Sequence, residues 1–189
     1  NAPLSDYTPE FYAALKARLT PYVAELRKHG LEKYAYLYGF DERPHEYYPA
    51  LGDLWRKLKV DFPDIPVMTT SKMYHDMREG RNHPEQDITD WFCPLTSVYD
   101  PALSEQLRAK GRQVWWYVCC GPTYPHANFA SIEYPFIEGR MLSWLTYRYG
   151  ADGLLFWHVN LWPDKPPLKL DDTFLTAWVA EHSLKMPGD

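Results

Sequence analysis

The sequence predicts an α/β fold: part of a TIM-type (β/α)8 barrel, made of about five parallel βα units. Three observations lead there. Short apolar runs alternate with segments of helical periodicity. The links between them are short. The runs are apolar throughout, as strands covered on both faces are. The 189 residues suit a single domain, 1–189. A complete eight-unit barrel takes about 250 residues, so five units correspond either to the C-terminal portion of a barrel or to an open sheet.

The elements follow in order. From Glu10 to His29 the apolar positions Phe11, Leu15, Leu19, Val23 and Leu26 recur at helical spacing. Thr8 and Pro9 are start signals and Gly30 a stop. Pro21 predicts a kink or a split. The run 34–40 reads as a buried aromatic strand, followed by a helix over 48–59. Strands are predicted at 66–70, 90–95, 113–119 and 153–158. Helices are predicted at 101–110, stopped by Gly111, at 137–149, stopped by Gly150, and at 172–181. Along the fourth strand Trp116 faces opposite to Trp115 and Tyr117, so at least one of these rings packs outward on helices. Five units leave two strand edges unpaired, and an edge carrying Tyr34, Tyr36 and Tyr38 invites a neighbour from another polypeptide, either the missing barrel half or a second copy of the chain.

Composition narrows the function. The net charge is −5 and no basic stripe runs along the chain, which argues against nucleic acid. No run approaches the roughly 18 apolar residues of a membrane span. The N-terminal residues have neither a basic nor an apolar leader region. Cys93, Cys119 and Cys120 lie in apolar runs without CxxC spacing and read as small hydrophobes. His45, Glu46, His75, Asp76 and His83 offer metal-binding side chains but lack HExxH spacing. A GxSxG elbow and a Gly-rich phosphate loop are both missing from the sequence. Neither a metal nor another cofactor is expected.

Aromatic content is high: eight Trp, 15 Tyr and eight Phe make 16% of the chain. Such rings suit a bulky core or a pocket for the apolar faces of sugars. In parallel α/β folds the site gathers at the C-terminal strand ends. The first strand ends there in Asp41 and Glu42, which are either solvated turn residues or a catalytic acid pair. The second strand leads to Thr69 and Thr70 and then Tyr74, and Trp91 lies on the third. Trp115, Trp116 and Tyr117 lie on the fourth; Trp157, His158, Asn160 and Trp162 belong to the fifth. Each Trp taken singly also fits a core position.

The segment Tyr36-Leu37-Tyr38-Gly39-Phe40-Asp41-Glu42-Arg43-Pro44 resembles the acidic-pair motif of the family 123 glycoside hydrolases. Three further blocks fit in order: 111–117, Arg140-Met141-Leu142-Ser143-Trp144, and 150–157 with Asn160 and Trp162. The resemblance spans about Tyr34 to Trp162 and extends to an overlapping domain family of unknown function. It implies a β-N-acetylgalactosaminidase-like catalytic domain, here its C-terminal half, without the β-sandwich and first barrel strands. It implies a glycan or glycoconjugate as partner. It also favours a secreted, periplasmic or cell-surface location.

The resemblance implies a retaining exo-glycosidase that uses substrate assistance, the exception to the two-carboxylate scheme. The acetamide oxygen of the sugar attacks its own anomeric carbon. Asp41, ionised, holds the acetamide N–H. Glu42 gives its proton to the leaving oxygen, and the neighbouring negative charge and aromatic surroundings are expected to raise its pKa. The candidate substrate-binding residues are Tyr74, Trp91, Trp116, Tyr117, Trp157 and Asn160. Among them Tyr117 is the expected donor to the acetamide oxygen, Trp157 a pocket wall and Asn160 a partner for a sugar hydroxyl. Arg43 is expected to be a surface charge or to form a salt bridge. The alternative is a carbohydrate-binding or structural fragment without turnover, and the isolated chain is expected to be weakly active or inactive.

Overall fold

The computed structural model of the chain describes residues 3–130 and 134–156. Trp157, His158, Asn160, Trp162 and the helix predicted at 172–181 lie outside them. The chain divides into two units, one running to Pro94 with Val98–Trp115, the other formed by Leu95–Ser97 and the residues from Trp116 on.

The first unit is built on a four-stranded parallel sheet of β1 (Leu37–Tyr38), β2 (Val67–Thr69), β3 (Trp91–Phe92) and β4 (Gln113–Val114), in that order. Tyr38 pairs with Met68, Met68 with Trp91, and Trp91 with Gln113. The ladder extends past the strand ends, with Gly39 N–H donating to Met68 at 3.2 Å, Cys93 N–H to Thr69 at 3.1 Å and Trp115 N–H to Phe92 at 2.9 Å. Alternation gives this sheet two chemically different faces. Val67, Phe92 and Val114, all buried, form one face, and Phe92 meets the ring of Tyr74 at 6.5 Å. The opposite face carries Tyr38, Met68, Trp91 and Gln113 and, one step further along, Thr70, Cys93 and Trp115.

Helices α1 (Pro9–Lys28), α2 (Tyr48–Asp61), α3 (Met73–Arg78) and α4 (Pro101–Ala109) belong to the same unit. Thr8 caps α1 by accepting the Phe11 N–H at 3.2 Å. Pro21 does not split α1, which stays one helix of 20 residues. Only Val23 of α1 is buried, so the carbonyl that Pro21 leaves without an intrahelical donor sits on an exposed stretch within reach of water. Lys16 pairs with Asp61 at 2.6 Å and Arg27 with Asp64 at 2.7 Å. These contacts tie α1 to the end of α2 and the turn after it. Leu51, Leu54, Trp55 and Leu58 of α2 are buried. Asp100 caps α4, its carboxylate accepting the N–H groups of Ala102 and Leu103 at 2.9 and 3.0 Å.

In the second unit, β5 (Trp116–Val118) pairs in parallel with β6 (Leu154–Phe156), and Leu95 forms a parallel bridge to Tyr117. The predicted fourth strand is thus two strands. Its ladder partner changes between Trp115, which bonds Phe92, and Trp116, whose N–H donates to Gly153 at 3.0 Å. Helix α5 (Phe136–Tyr149) ends at Gly150, in the left-handed conformation with φ 64°. Buried Asn128 braces the preceding loop, bonding the carbonyls of Cys119 and Pro122 at 2.9 and 3.0 Å.

These parallel sheets and their helices bear out the α/β class. Closure into a barrel is not part of the described structure. No helix among the described residues is long and apolar enough to cross a membrane.

Candidate active site

The site is built on the turn leaving β1. Gly39 gives the turn room there: a Cβ would stand 3.1 Å from the Trp55 ring, a crowded approach that the ring would have to relieve by shifting. Phe40 and Glu42, on either side of Asp41, both take positive φ, at 56° and 51°. Side chains pay about 1–2 kcal/mol for that conformation, so something must hold it. The buried ring of Phe40 stacks on Tyr7 and meets Trp55 edge-on at 5.5 Å. Its carbonyl accepts from the Thr69 hydroxyl and the Arg43 N–H, each at 3.3 Å. The Glu42 N–H donates to the Thr70 hydroxyl at 3.2 Å, and Lys72 N–H to the Arg43 carbonyl at 3.2 Å.

The turn directs Asp41 back toward the end of β2. Its Oδ1 accepts from the Thr70 hydroxyl at 2.8 Å and from the Tyr38 hydroxyl. Tyr38 and Thr70 also touch at 2.8 Å. Burial, followed by the bond to Asp41, pushes the Tyr38 phenol well above its ordinary pKa. Glu42 is exposed. The Arg43 guanidinium lies over the Tyr47 ring at 4.6 Å, a cation–π contact.

Beside this turn, on the same face of the sheet as Tyr38, lies a cluster of rings. Trp91 and Trp115 stack at 5.5 Å with planes 18° apart, and Tyr36 meets them at 5.3 and 5.7 Å. Trp115 is held by its indole N–H, which donates to Gln113 Oε1 at 2.9 Å. All three rings are partly exposed. Cys93 is 1% exposed, and burial drives its thiol pKa far up.

The predicted residues thus separate. Asp41, Glu42 and Trp91 share the first unit and the sheet face or rim described above. Tyr74 is in that unit too, but as a core side chain: it is 1% exposed, and its hydroxyl is engaged with Ser104 at 2.7 Å and the Asp100 backbone at 2.9 Å. No ring face is left for a sugar, because α3 turns Tyr74 inward onto Phe92. Trp116 is buried in the second unit, its indole donating to Thr146 of α5 at 2.9 Å and its ring 5.9 Å from Tyr149. It is the ring that packs on a helix, and Trp115 is the one that stacks with Trp91. Tyr117, 6% exposed, is in β5. Trp157 and Asn160 lie outside the described residues.

Thr70 and Trp115 were expected at the strand-end rim but not singled out as substrate-binding residues, and Tyr36 and Tyr38 were not expected at the site at all. Period-two alternation held the signal, since it puts Tyr36, Tyr38 and Trp91 on one face once the register is known. Of the histidines weighed as metal ligands, His45 is exposed, 3.8 Å from its neighbour Glu46. His75 pairs with Glu79 at 3.2 Å, while His83 lies 3.4 Å from Asp76, which also accepts from Tyr48 at 2.8 Å and from Arg81. Among the described residues no group of three or more His, Cys, Asp or Glu side chains is placed to hold a metal.

The model of the glycoside hydrolase 123 catalytic domain matches residues 3–180. The chain belongs to that family. Its parallel α/β fold is also similar to that of a solved family 123 glycoside hydrolase from Clostridium perfringens, reported for glycolipid glycan hydrolysis. The TM-score is 0.55 at 18% identity, over 79% of this chain and 25% of that one. The family 123 chain therefore spans about a quarter of that structure's length. No curated protein gives a significant match.

Proposed function

We propose that the protein is a retaining exo-β-N-acetylgalactosaminidase working by substrate assistance, with Asp41 and Glu42 as its acid pair. The observation that carries this reading is the placement of Asp41: a carboxylate at a strand end, gripped by two hydroxyls, on a strained turn beside a second, exposed carboxyl. Strain of this kind collects at working sites.

In the proposed reaction the acetamide oxygen attacks the anomeric carbon as the glycosidic bond breaks. Glu42 protonates the departing oxygen, and the sugar closes to an oxazolinium ion. Positive charge grows on the acetamide nitrogen, and ionised Asp41 stabilises it through the N–H. Water then attacks the anomeric carbon from the face the leaving group vacated and gives a proton to Glu42. The acetamide is restored and configuration is retained. Trp91 and Trp115 supply an aromatic surface for an apolar sugar face.

The full-length protein should cleave a chromogenic β-N-acetylgalactosaminide and leave the matching 2-hydroxy galactoside almost untouched. Equal cleavage of both would sink the assisted mechanism. The exposed ring cluster also fits a module that binds sugar without turnover. Glu42→Gln separates the two readings: it should abolish hydrolysis and keep sugar binding. Sugar binding by a wild-type protein that hydrolyses no glycoside would favour the binding module.

A further inference from the structure

We propose that Tyr38 and Thr70 are positioning residues for the acid pair, and that the single hydroxyl of Thr70 couples its two members; this rests on the reading of Asp41 and Glu42 as catalytic. A threonine hydroxyl has one proton and two lone pairs. One lone pair of Thr70 receives the Glu42 backbone N–H at 3.2 Å, and its proton is directed to Asp41 Oδ1 at 2.8 Å. The Tyr38 hydroxyl donates to that same oxygen. Two hydroxyl protons therefore converge on one carboxylate oxygen, an arrangement suited to a charged acceptor. They approach from two adjacent strands and fix the carboxyl plane of Asp41. The oxygen that helps hold Asp41 also holds the main chain of Glu42.

The chemistry makes this coupling matter. Asp41 must meet the acetamide N–H while Glu42 meets the leaving oxygen, so the relative placement of the two groups sets the rate. Thr70 is well suited to set it. It is 6% exposed and directly follows β2, and the next residue is fixed by a bond from Ser71 N–H to the Thr69 hydroxyl at 3.0 Å. A group on a rigid strand end thereby disciplines a turn whose backbone is strained at two positions.

The test compares Thr70→Val, Thr70→Ser and Tyr38→Phe in the full-length protein, with circular dichroism to confirm folding. On a chromogenic β-N-acetylgalactosaminide, Thr70→Val should lower kcat by about 100-fold, the scale of a small misplacement, with a much smaller change in KM. Thr70→Ser should restore most of the loss, and Tyr38→Phe should cost about tenfold. A second readout is independent of turnover. The carboxyl 13C resonance of Asp41, assigned by its loss in Asp41→Asn, should move in Thr70→Val and Tyr38→Phe and return in Thr70→Ser. An unmoved resonance overturns the clamp whether or not the protein turns over. So does an unchanged kcat in Thr70→Val, or a loss that Thr70→Ser fails to rescue. A wild-type protein inactive on every 2-acetamido glycoside would overturn the functional reading, and the resonance alone would then decide whether the clamp exists.

Discussion

The ring of Phe40 lies on that of Tyr7, with centroids 4.9 Å apart and planes 17° from parallel. Phe40 is one of the two residues with positive φ beside Asp41, so this stack anchors the acidic turn to the segment that precedes α1. Conformational cost at the site is offset by burial of the aromatic ring that directly precedes the carboxylates in the chain.

Stability should expose that trade. Glu42→Gly should be more stable than Glu42→Ala by about 1 kcal/mol, because glycine tolerates positive φ and alanine does not. Phe40→Ala should cost about 3–5 kcal/mol, as removing a buried Phe does. Urea unfolding of the three variants measures both, and a Glu42→Gly variant less stable than Glu42→Ala would refute the strain assigned to the turn.

Asp76 sets a second expectation. Burial alone would raise its pKa, but the hydrogen bonds from Arg81 and Tyr48, with the charges of Arg81 and His83, bring it below the ordinary value. A carboxyl depressed on folding adds stability above its unfolded pKa, about 4, and the folded state loses that contribution as pH falls through the lower, folded value. Asp76→Asn should lower stability at neutral pH by about 2 kcal/mol, a modest figure because Arg81 is half exposed. It should also flatten the decline below about pH 4. Unfolding midpoints between pH 2.5 and 7 provide the check; an undiminished acid slope in Asp76→Asn would assign the slope to other carboxylates.

The tryptophans give the third. Trp91→Ala should raise KM about tenfold, the equivalent of roughly 1.4 kcal/mol of lost contact, with little effect on kcat. Trp116→Phe should cost about 1 kcal/mol of stability, the worth of its bond to Thr146, and leave KM alone. Kinetics and thermal unfolding of both variants decide. The reverse pattern would exchange their roles.

How much of this was legible in the sequence depends on what kind of signal each feature leaves. Helices α1, α2, α4 and α5 leave local ones: the Thr8 and Asp100 caps, prolines in the first turn, glycines just past the end. The parallel strands leave apolar runs. Asp41 and Glu42 stood out because a strand-end carboxylate pair is readable without coordinates. Helix α3 has six residues, too few for a period to register. The division of the fourth strand was hidden because Trp115 and Trp116 are the same residue, and only their hydrogen-bond partners reveal that the ladder changes there. Alternation required them to face opposite ways but could not say which met a helix. Thr70 stands 28 residues from Glu42 in the chain, and its bond exists only because β1 and β2 are neighbours.

Cys93 lies in the row next to Trp91, on the face shared with Tyr38. Its thiol is shut away from solvent and burial disfavours its ionised form, whereas Cys120 is exposed. Thiolate is the species that reacts with alkylating reagents. Cys120 is therefore available in the native protein, and Cys93 only in molecules whose sheet has come apart. The chain thus carries its own gauge of opening beneath the ring cluster, able to record how often this face of the sheet gives way.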